Sequence, residues 1–448
     1  MLSAAAVTTA MLTTGLTAGA VTMPTDGVMT ITSTTEAPNT ILFYKDIVIH
    51  NEEKLNGEYV TQVYGPSITY EYEIAPAQGA ELSTITDADG KTVTAKKGPD
   101  NGVIMDKDNK TAEFTSKVIK LTNGVGTDTD SVGLTVDPDL FTGAGVYRYK
   151  ITEKDSGGAR KNASITRDET KYSVERYLDV YVKNGTDGLE ITGYVMFHKG
   201  NSETTPMVIN GTTENNTTGN KTDGYDSDDQ TNESSSSGTS TQDMADHYYT
   251  YNYDVTKEIT GALADKTHQF PFTVNTSQPE GSTAGKTFYV TKNETAIGNN
   301  TLTGTIAQDV SQTLADGETL YLIGLAANTS ITKVMEENDT ADTYKSVAEN
   351  PLVQSKSVAA NATFGFDSTA ADATVTPYAL TNYAEDTNSK PTANSAITDT
   401  KFTNSLEDIS PTGVVLTVAP YAIMLGIAVF FVAVFIRNKK KDEYENTI

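Results

Sequence analysis

The strongest constraint on this 448-residue chain is a predominantly apolar run close to its C-terminus. The run covers residues 414–436, and the five positions after it carry one arginine and three lysines. A helix of this length can cross a bilayer, and cations behind it hold that end in the cytoplasm. The sequence therefore predicts a transmembrane helix at 414–436 and a cytoplasmic tail at 437–448, with the rest of the chain outside the cell.

The N-terminal residues also indicate export. Residues 1–20 are rich in alanine, threonine and leucine and end in Ala18-Gly19-Ala20, which fits a signal-peptidase site of small residues. We predict a signal peptide at 1–20. No lysine or arginine precedes Lys45, so the charged start of such a peptide is missing and we expect this signal to be truncated.

Charge and composition exclude several classes of function. The formal net charge is -26, whereas phosphate binding needs clustered lysine and arginine, so we expect no nucleic-acid partner. The chain has no cysteine, so disulfides cannot reinforce it after export. Its four histidines lack metal-ligand spacing, and no phosphate loop or nucleophile motif is present. We predict no metal, no cofactor and no substrate-turnover enzyme activity.

Apolar residues recur at every second position, which is typical of half-buried strands. Examples are Ile68, Tyr70, Tyr72 and Ile74, and later Phe270, Phe272 and Val274. Residues from about 203 to 244 are mostly small and polar, with too few apolar side chains to fold by themselves. We therefore predict an all-β fold with two tandem β-sandwich domains, at 30–208 and 248–406, joined by a polar linker or long loop at 209–247.

Two lysines lie on faces of predicted strands that are otherwise apolar. Alternation places Lys45 on the same face as Phe43, Ile47 and Ile49. Lys257 likewise shares a face with apolar side chains of its own strand. A buried ammonium group is costly, so each lysine is expected to lose its proton or to acquire a counter-charge.

Each half also offers an inward carboxylic acid. Alternation places Glu153 on an apolar face in the first half and Glu336 on one in the second. Glu337 replaces Glu336 if the register shifts by one residue. Asn404 shares a face with Phe402 in the last predicted strand before the anchor. The second half therefore combines an inward lysine, an inward glutamate and an inward asparagine.

These three residue types together favour amide formation. An apolar pocket lowers the pKa of a lysine and raises that of a carboxylic acid, so both groups can be neutral. The neutral amine of Lys257 would then attack the side-chain amide carbon of Asn404, while Glu336 polarises the carbonyl and transfers protons to the leaving ammonia. The prediction is an isopeptide bond that forms once, without a cofactor. The alternative is a buried salt bridge, or a lysine that extends back to water.

In their order and spacing, these motifs resemble those of one known family. The motifs are Val255-Thr256-Lys257-Glu258-Ile259-Thr260-Gly261, the segment from Gly145 to Glu153, Phe402-Thr403-Asn404, and the segment from Pro411 to Tyr421. The sequence is similar to the backbone pilins of Gram-positive bacteria, which are built from pilin isopeptide-linkage domains. The resemblance implies Ig-like, collagen-adhesin-type β-sandwiches and extends over nearly the whole ectodomain.

The resemblance also implies roles for individual residues. Lys45 and Lys257 would be the isopeptide lysines. Glu153 and Glu336 would be the catalytic acids of the two domains, and Asn404 would be the acyl donor of the second.

The acyl donor of the first domain is less clear. In the family, the first domain ends with an aromatic residue, one spacer and asparagine, but here serine stands at that position, in Tyr225-Asp226-Ser227. Aspartate can also serve as an acyl donor, so Asp226 and Asp228 are the candidates. Asn210 and Asn252 are further options, although Asn252 lies on the opposite strand face from Lys257.

Pro411-Thr412-Gly413 stands directly before the apolar run and resembles the sorting signal of Gram-positive surface proteins. In such signals a sortase cleaves between threonine and glycine and transfers the threonine carbonyl to an amine. The predicted signal at 409–413 would thus be cut between Thr412 and Gly413. The usual signal has leucine or valine before the proline, whereas this chain has Ser410, which leaves the type of sortase open. An ordinary single-span membrane anchor is the alternative.

The resemblance implies a structural protein of the cell surface, made as a membrane-anchored precursor and then attached to the cell wall or assembled into a pilus. The implied partners are sortase, identical pilin subunits and peptidoglycan. The sequence does not identify the lysine that accepts the next threonine; Lys199 and Lys221, near the end of the first domain, are candidates. The alternative function is a wall-anchored adhesin that displays a β-sandwich to a host ligand.

Overall fold

The computed structural model describes residues 20–22, 28–30, 40–86, 92–154, 164–166, 175–198, 246–279, 285–293, 297–298, 301–371, 375–382, 390–394, 399–407 and 411–445. Within these ranges the chain consists of strands, two short 3₁₀ turns and one C-terminal helix. The predicted all-β fold with a C-terminal helix is therefore confirmed. Residues 1–19, most of the predicted signal peptide, lie outside the described residues.

The first half contains eighteen described strands: β1 (Ala20–Thr22), β2 (Val28–Thr30), β3 (Thr40–His50), β4 (Lys54–Leu55), β5 (Glu58–Tyr59), β6 (Gln62–Tyr64), β7 (Ile68–Pro76), β8 (Thr84–Thr86), β9 (Thr92–Thr94), β10 (Lys96–Lys97), β11 (Val103–Met105), β12 (Thr111–Phe114), β13 (Val118–Lys120), β14 (Val125–Val136), β15 (Gly145–Glu153), β16 (Ile165–Thr166), β17 (Glu175–Asn184) and β18 (Leu189–His198). The 3₁₀ turns are Gly79–Glu81 and Pro138–Leu140.

The second half continues with β19 (Asp246–Thr260), β20 (Phe270–Ser277), β21 (Thr287–Lys292), β22 (Leu302–Thr305), β23 (Val310–Leu314), β24 (Thr319–Ala326), β25 (Ser330–Asn338), β26 (Tyr344–Glu349), β27 (Gln354–Val358), β28 (Ala362–Asp367), β29 (Tyr378–Ala379), β30 (Thr381–Asn382), β31 (Thr392–Ala393) and β32 (Thr400–Ser405). The helix is α1 (Pro411–Glu445).

The first sandwich packs two sheets around one core. One sheet contains β11, β14, β3 and β19 in that order, and the other contains β12, β7, β15, β17, β18 and β2. Phe43 of β3 meets Tyr72 of β7 edge-on, with ring centroids 5.3 Å apart. The sheets pack this way because alternation gives each of them one apolar face, and those faces form a common core.

The second sandwich has a separate core. β19 lies between β24 and β32 in one sheet, and the facing sheet has the order β23, β20, β25, β28. Phe402 of β32 meets Phe272 of β20 edge-on across this core, with ring centroids 5.2 Å apart. The inward residues of β20 and β32 are buried at every second position, as alternation predicts.

β19 belongs to both sandwiches. Its first four residues pair in parallel with residues 47–50 of β3, and its later residues pair with β24 and β32. Tyr248 packs in the first core, whereas Tyr249 and Tyr251 pack in the second. Because successive side chains point to opposite faces of a strand, the two cores lie on opposite faces of β19.

The start of β19 differs from the predicted linker at 209–247. Residues 246 and 247 are strand residues, and their side chains are buried. The polar composition upstream concealed this, because the strand pattern becomes apolar only at Tyr248. Residues 199–245 lie outside the described residues.

Helix α1 contains the whole predicted span at 414–436. It begins at Pro411, so Thr412 and Gly413, which we predicted to precede the helix, lie in its first turn. Its segment from Tyr421 to Lys439 is long and apolar enough to cross a membrane, and its side chains are exposed rather than packed on the sandwiches.

Candidate functional site

Three buried polar residues meet in the core of the second sandwich. Lys257 comes from β19, Asn404 from β32 and Glu336 from β25 in the facing sheet. Lys257 and Asn404 are each 0% exposed, and Glu336 is 1% exposed. The structure thus brings together the three residues that the alternating sequence pattern placed on inward strand faces. Glu337, the alternative to Glu336, is exposed.

The carboxylate of Glu336 contacts both potential reactants. Its Oε2 lies 2.8 Å from Nζ of Lys257, and its Oε1 accepts a hydrogen bond of 2.6 Å from Nδ2 of Asn404. Asn404 lies opposite Ile259 in the parallel pair of β19 and β32, two residues beyond Lys257 on the same face. One carboxylate therefore links an amine and an amide that are diagonal neighbours on adjacent strands.

Ser346 supplies a fourth polar contact that sequence reasoning missed. Its Oγ donates a hydrogen bond of 2.8 Å to Oδ1 of Asn404, and the residue lies directly opposite Asn404 in the pairing of β26 with β32. Ser346 is fully buried between Tyr344 and Ala348, which lie on the same face. This alternation of buried residues is the sequence signal that could have placed Ser346 in the core. The hydroxyl polarises the acyl oxygen of Asn404.

Burial governs the protonation of Lys257. Removal from water lowers the pKa of Lys257 below its ordinary value, and the nearby carboxylate of Glu336 opposes this shift only in part. Nζ lies over the ring of Phe270, 4.5 Å from its centroid. Among the described residues, neither Nζ of Lys257 nor Oε2 of Glu336 has a hydrogen-bond partner of acceptable angle. The lowered pKa makes the neutral, nucleophilic form of this amine more accessible than that of an exposed lysine.

A second cluster of the same kind lies in the first sandwich. Nζ of Lys45 is 3.2 Å from Oε2 of Glu153 and 3.5 Å from Oδ2 of Asp246. All three residues are at most 3% exposed. The hydroxyl of Tyr70 donates a hydrogen bond of 2.7 Å to Oδ2 of Asp246. The sequence paired Lys45 with Glu153 but did not identify Asp246.

Of the other acyl donors considered for the first sandwich, only Asn252 falls within the described residues. Asp226, Asp228 and Asn210 are outside the described residues. Asn252 exchanges two hydrogen bonds of 3.0 Å with Asn51 where the two sandwiches meet.

A third buried charge pair shows what a purely structural arrangement looks like. Nε and Nη2 of Arg148 donate to the two carboxylate oxygens of Asp179 at 2.7 and 2.9 Å. Nη1 of Arg148 also donates to the backbone oxygen of Glu81 and to Oγ of Ser83. Both partners are fully buried and extensively hydrogen-bonded, as a stable buried ion pair requires. A guanidinium is always charged and is no nucleophile, so this pair has no acyl-transfer chemistry.

The described residues contain no group of histidine, aspartate and glutamate side chains arranged to hold a metal ion. Lys199 and Lys221, the candidate acceptors for the next subunit, lie outside those residues. The backbone of Thr412 and Gly413 lies at the start of α1.

Comparisons with known proteins give limited matches. A family model described as "Domain of unknown function (DUF7601)" matches residues 251–405, about a third of the chain, which span the second sandwich. No curated protein sequence matches the chain. Similar solved structures include two of the major pilin of Streptococcus pyogenes, at 17% and 14% identity and TM-scores of 0.34 and 0.33. They match 85% and 82% of this chain and 99% of each pilin chain.

A pilus-presented adhesin is similar at 11% identity and a TM-score of 0.23, over 82% of this chain and 100% of that chain. At this level of similarity, the solved structures carry no part of the functional conclusion, which depends on the buried residues themselves.

Proposed function

We propose that this chain is a structural protein of the cell surface whose second sandwich crosslinks itself by an amide between Lys257 and Asn404. The observation that carries the proposal is the buried carboxylate of Glu336, which contacts the amine at 2.8 Å and the side-chain amide at 2.6 Å. The reaction needs no cofactor and occurs once in each molecule.

The proposed reaction begins with a proton transfer. The ammonium of Lys257 gives a proton to Oε2 of Glu336, which burial favours because it replaces two buried charges with two neutral groups. The amine then attacks Cγ of Asn404, whose Oδ1 is polarised by the hydroxyl of Ser346. Oε1 of Glu336 faces Nδ2, where it delivers a proton to the leaving nitrogen. A bond forms between Nζ and Cγ, and the original bond between Cγ and Nδ2 breaks. The attacking nitrogen gives a second proton to Glu336, and Nδ2 leaves as ammonia.

The position of the bond gives it a mechanical function. β19 and β32 are adjacent parallel strands, and the bond joins them near their C-terminal ends. Tension that enters at the start of β19 and leaves after β32 would pass through Lys257, the amide and Asn404. Residues 258–403 would carry no load. This suits a subunit of a covalent fibre, or a wall-attached stalk, that must resist shear.

The C-terminal segment provides the proposed attachment. The sequence Pro411-Thr412-Gly413 opens helix α1, ahead of its apolar segment and a basic tail. We propose that sortase cuts after Thr412 and joins its carbonyl to an amine of the next subunit or of peptidoglycan. The helix would hold the precursor in the membrane until that transfer.

Tryptic peptide mapping of the full chain in detergent tests the crosslink. We expect the segments around Lys257 and Asn404 in one branched fragment, lighter by one ammonia than the two peptides together. Glu336→Gln should yield two separate peptides, because it removes the proton relay. Glu337→Gln, which changes the exposed neighbour, is the matched control and should keep the bond. Separate peptides from the unaltered chain would refute the crosslink, and an intact bond in Glu336→Gln would refute the assigned acid.

Denaturing gels of surface extracts test the assembly. Covalent polymers should appear as a ladder that resists boiling in detergent, and Thr412→Ala should reduce the ladder to monomer. A single monomer-sized band from cells that produce the unaltered chain would contradict polymerisation.

A further inference from the structure

The two lysine clusters correspond residue by residue. Nζ of Lys45 lies 4.4 Å from the ring centroid of Tyr70, and Nζ of Lys257 lies 4.5 Å from that of Phe270. Two residues further along the strand of each ring, a second aromatic residue lies opposite the glutamate of the adjacent antiparallel strand. The matching pairs are Lys45 with Lys257, Tyr70 with Phe270, Tyr72 with Phe272, and Glu153 with Glu336.

Strand register extends this correspondence to the acyl donor. In the second sandwich, Asn404 lies opposite the residue two positions after Lys257, in a parallel strand pair. In the first sandwich, Asp246 lies opposite Ile47, two positions after Lys45, and this strand pair is also parallel. Asp246 therefore has the position relative to Lys45 that Asn404 has relative to Lys257.

The polar partners of the two donors differ in a way that suits their chemistry. Oδ1 of Asn404 accepts a hydrogen bond from Ser346, whereas Oδ2 of Asp246 accepts one from the hydroxyl of Tyr70. Phe270, the counterpart of Tyr70, has no hydroxyl. The first sandwich thus places a hydroxyl donor on a carboxylate oxygen of Asp246, where the hydrogen bond polarises the carboxyl group that the amine would attack.

We propose that Lys45 and Asp246 form a second, carboxylate-derived crosslink, with Glu153 as the proton relay. This proposal extends the self-crosslinking chemistry of Lys257 to another site and rests on it. A bond forms between Nζ of Lys45 and Cγ of Asp246, and one C–O bond of the Asp246 carboxylate breaks. The ammonium loses two protons through Glu153, and they leave with that oxygen as water. Overall, an ammonium and a carboxylate become an amide and one water.

The location of this bond couples the two sandwiches. Asp246 is the first residue of β19 and Lys257 lies further along the same strand. With both bonds formed, tension would pass from β3 through Lys45 and Asp246 into β19, and from Lys257 through Asn404 into β32. One strand would then join two covalent links in series across the junction, and most of the remaining chain would lie outside the load path.

The same full-chain digest tests this inference. Trypsin does not cut after an amidated lysine, so both bonds would produce one three-armed fragment. Its arms would extend to Lys54, from Thr222 to Lys266, and onward from Phe402, with a deficit of one water and one ammonia. Asp246→Asn should change the deficit to two ammonias, and Asp246→Ala should leave one ammonia. Asp46→Asn, whose side chain points to the opposite face from Lys45, is the matched control and should keep the water loss.

The outcomes separate the two proposals. Loss of ammonia alone, with normal cleavage after Lys45, would overturn the second crosslink and leave the first intact. Loss of water alone would support the Lys45–Asp246 bond and refute the Lys257–Asn404 bond. The ammonia loss also reports whether each Asp246 variant has folded. The unaltered chain gives a decisive answer even if a variant does not fold.

Discussion

The two sandwiches hold the same arrangement of amine, acid and aromatic rings around different proposed acyl donors. The second sandwich uses a neutral amide polarised by Ser346, and the first places a carboxylate next to the hydroxyl of Tyr70. The geometry is therefore set by strand register, while the donor determines which small molecule would leave. This difference makes the two sites distinguishable by mass within one molecule.

The pair of Arg148 and Asp179 adds a contrast within the first sandwich. There both charged groups are hydrogen-bonded. Nζ of Lys257 and Oε2 of Glu336, in contrast, lie close together without a well-formed hydrogen bond. Burial alone thus does not identify a reactive site. The proposed reaction also requires an amine that can become neutral, beside an acyl group and a carboxylate that transfers protons.

The largest expected effect is the loss of the crosslink in the second sandwich. Asn404→Ala should lower the free energy of unfolding by about 5 kcal/mol, because the bond closes a loop of more than about 100 residues. Lys257→Met should cost a similar amount, and the double variant little more than either one, since both changes remove one bond. Urea unfolding monitored by circular dichroism provides the measurement. Fully additive losses would argue against a shared bond.

A comparable loss of stability without any chemical change is expected at the structural ion pair. Asp179→Asn should lower the free energy of unfolding by about 3–5 kcal/mol, because it leaves Arg148 as an incompletely paired buried charge. Both mass deficits should remain in the folded protein. If either deficit disappeared while the far-ultraviolet spectrum was unchanged, the distinction between the structural and the reactive pairs would fail.

The hydroxyl groups of Ser346 and Tyr70 should each affect the rate of crosslinking only in their own sandwich. Ser346→Ala should slow ammonia loss roughly 100-fold, by removal of one donor to the acyl oxygen. Tyr70→Phe should slow only water loss, so each variant is the control for the other. Mass spectra taken at intervals after cell-free synthesis measure both rates. Equal slowing of both losses by one variant would indicate a general folding defect instead.

The smallest expected effect is a dependence on pH in the uncrosslinked Asn404→Ala variant. Because the folded pKa of Lys257 lies below the ordinary 10.5, the unfolded chain binds more protons in the interval between the two values. The free energy of unfolding should therefore rise as pH increases through that interval. Lys257→Met in the same background should remove this increment. A stability that falls with pH only when Lys257 is present would reverse the assigned shift.

Sequence alternation predicted the buried positions of Lys257, Glu336 and Asn404 because each lies within a regular strand with a clear apolar face. Ser346 was missed because serine is usually exposed, so its inward position was visible only from the buried neighbours on its strand face. Its role depends on which strand lies beside Asn404, and no local pattern reveals that.

Asp246 was missed for a different reason. It follows a long polar segment, and its core lies on the opposite face of β19 from the core that surrounds Lys257. The alternation that places Lys257 in the second core therefore places Asp246 on the other face of the strand. Only the parallel pairing with β3 reveals its position, and such long-range pairing has no local sequence signal.

The most direct test of the central claim is an experimental electron-density map of the mature protein at Lys257 and Asn404. The account predicts continuous density between Nζ and Cγ at an amide bond length of about 1.33 Å, with Nδ2 of Asn404 missing and Glu336 beside the new bond. Separate side chains, with an intact amide on Asn404 and a water-exposed Lys257, would contradict it.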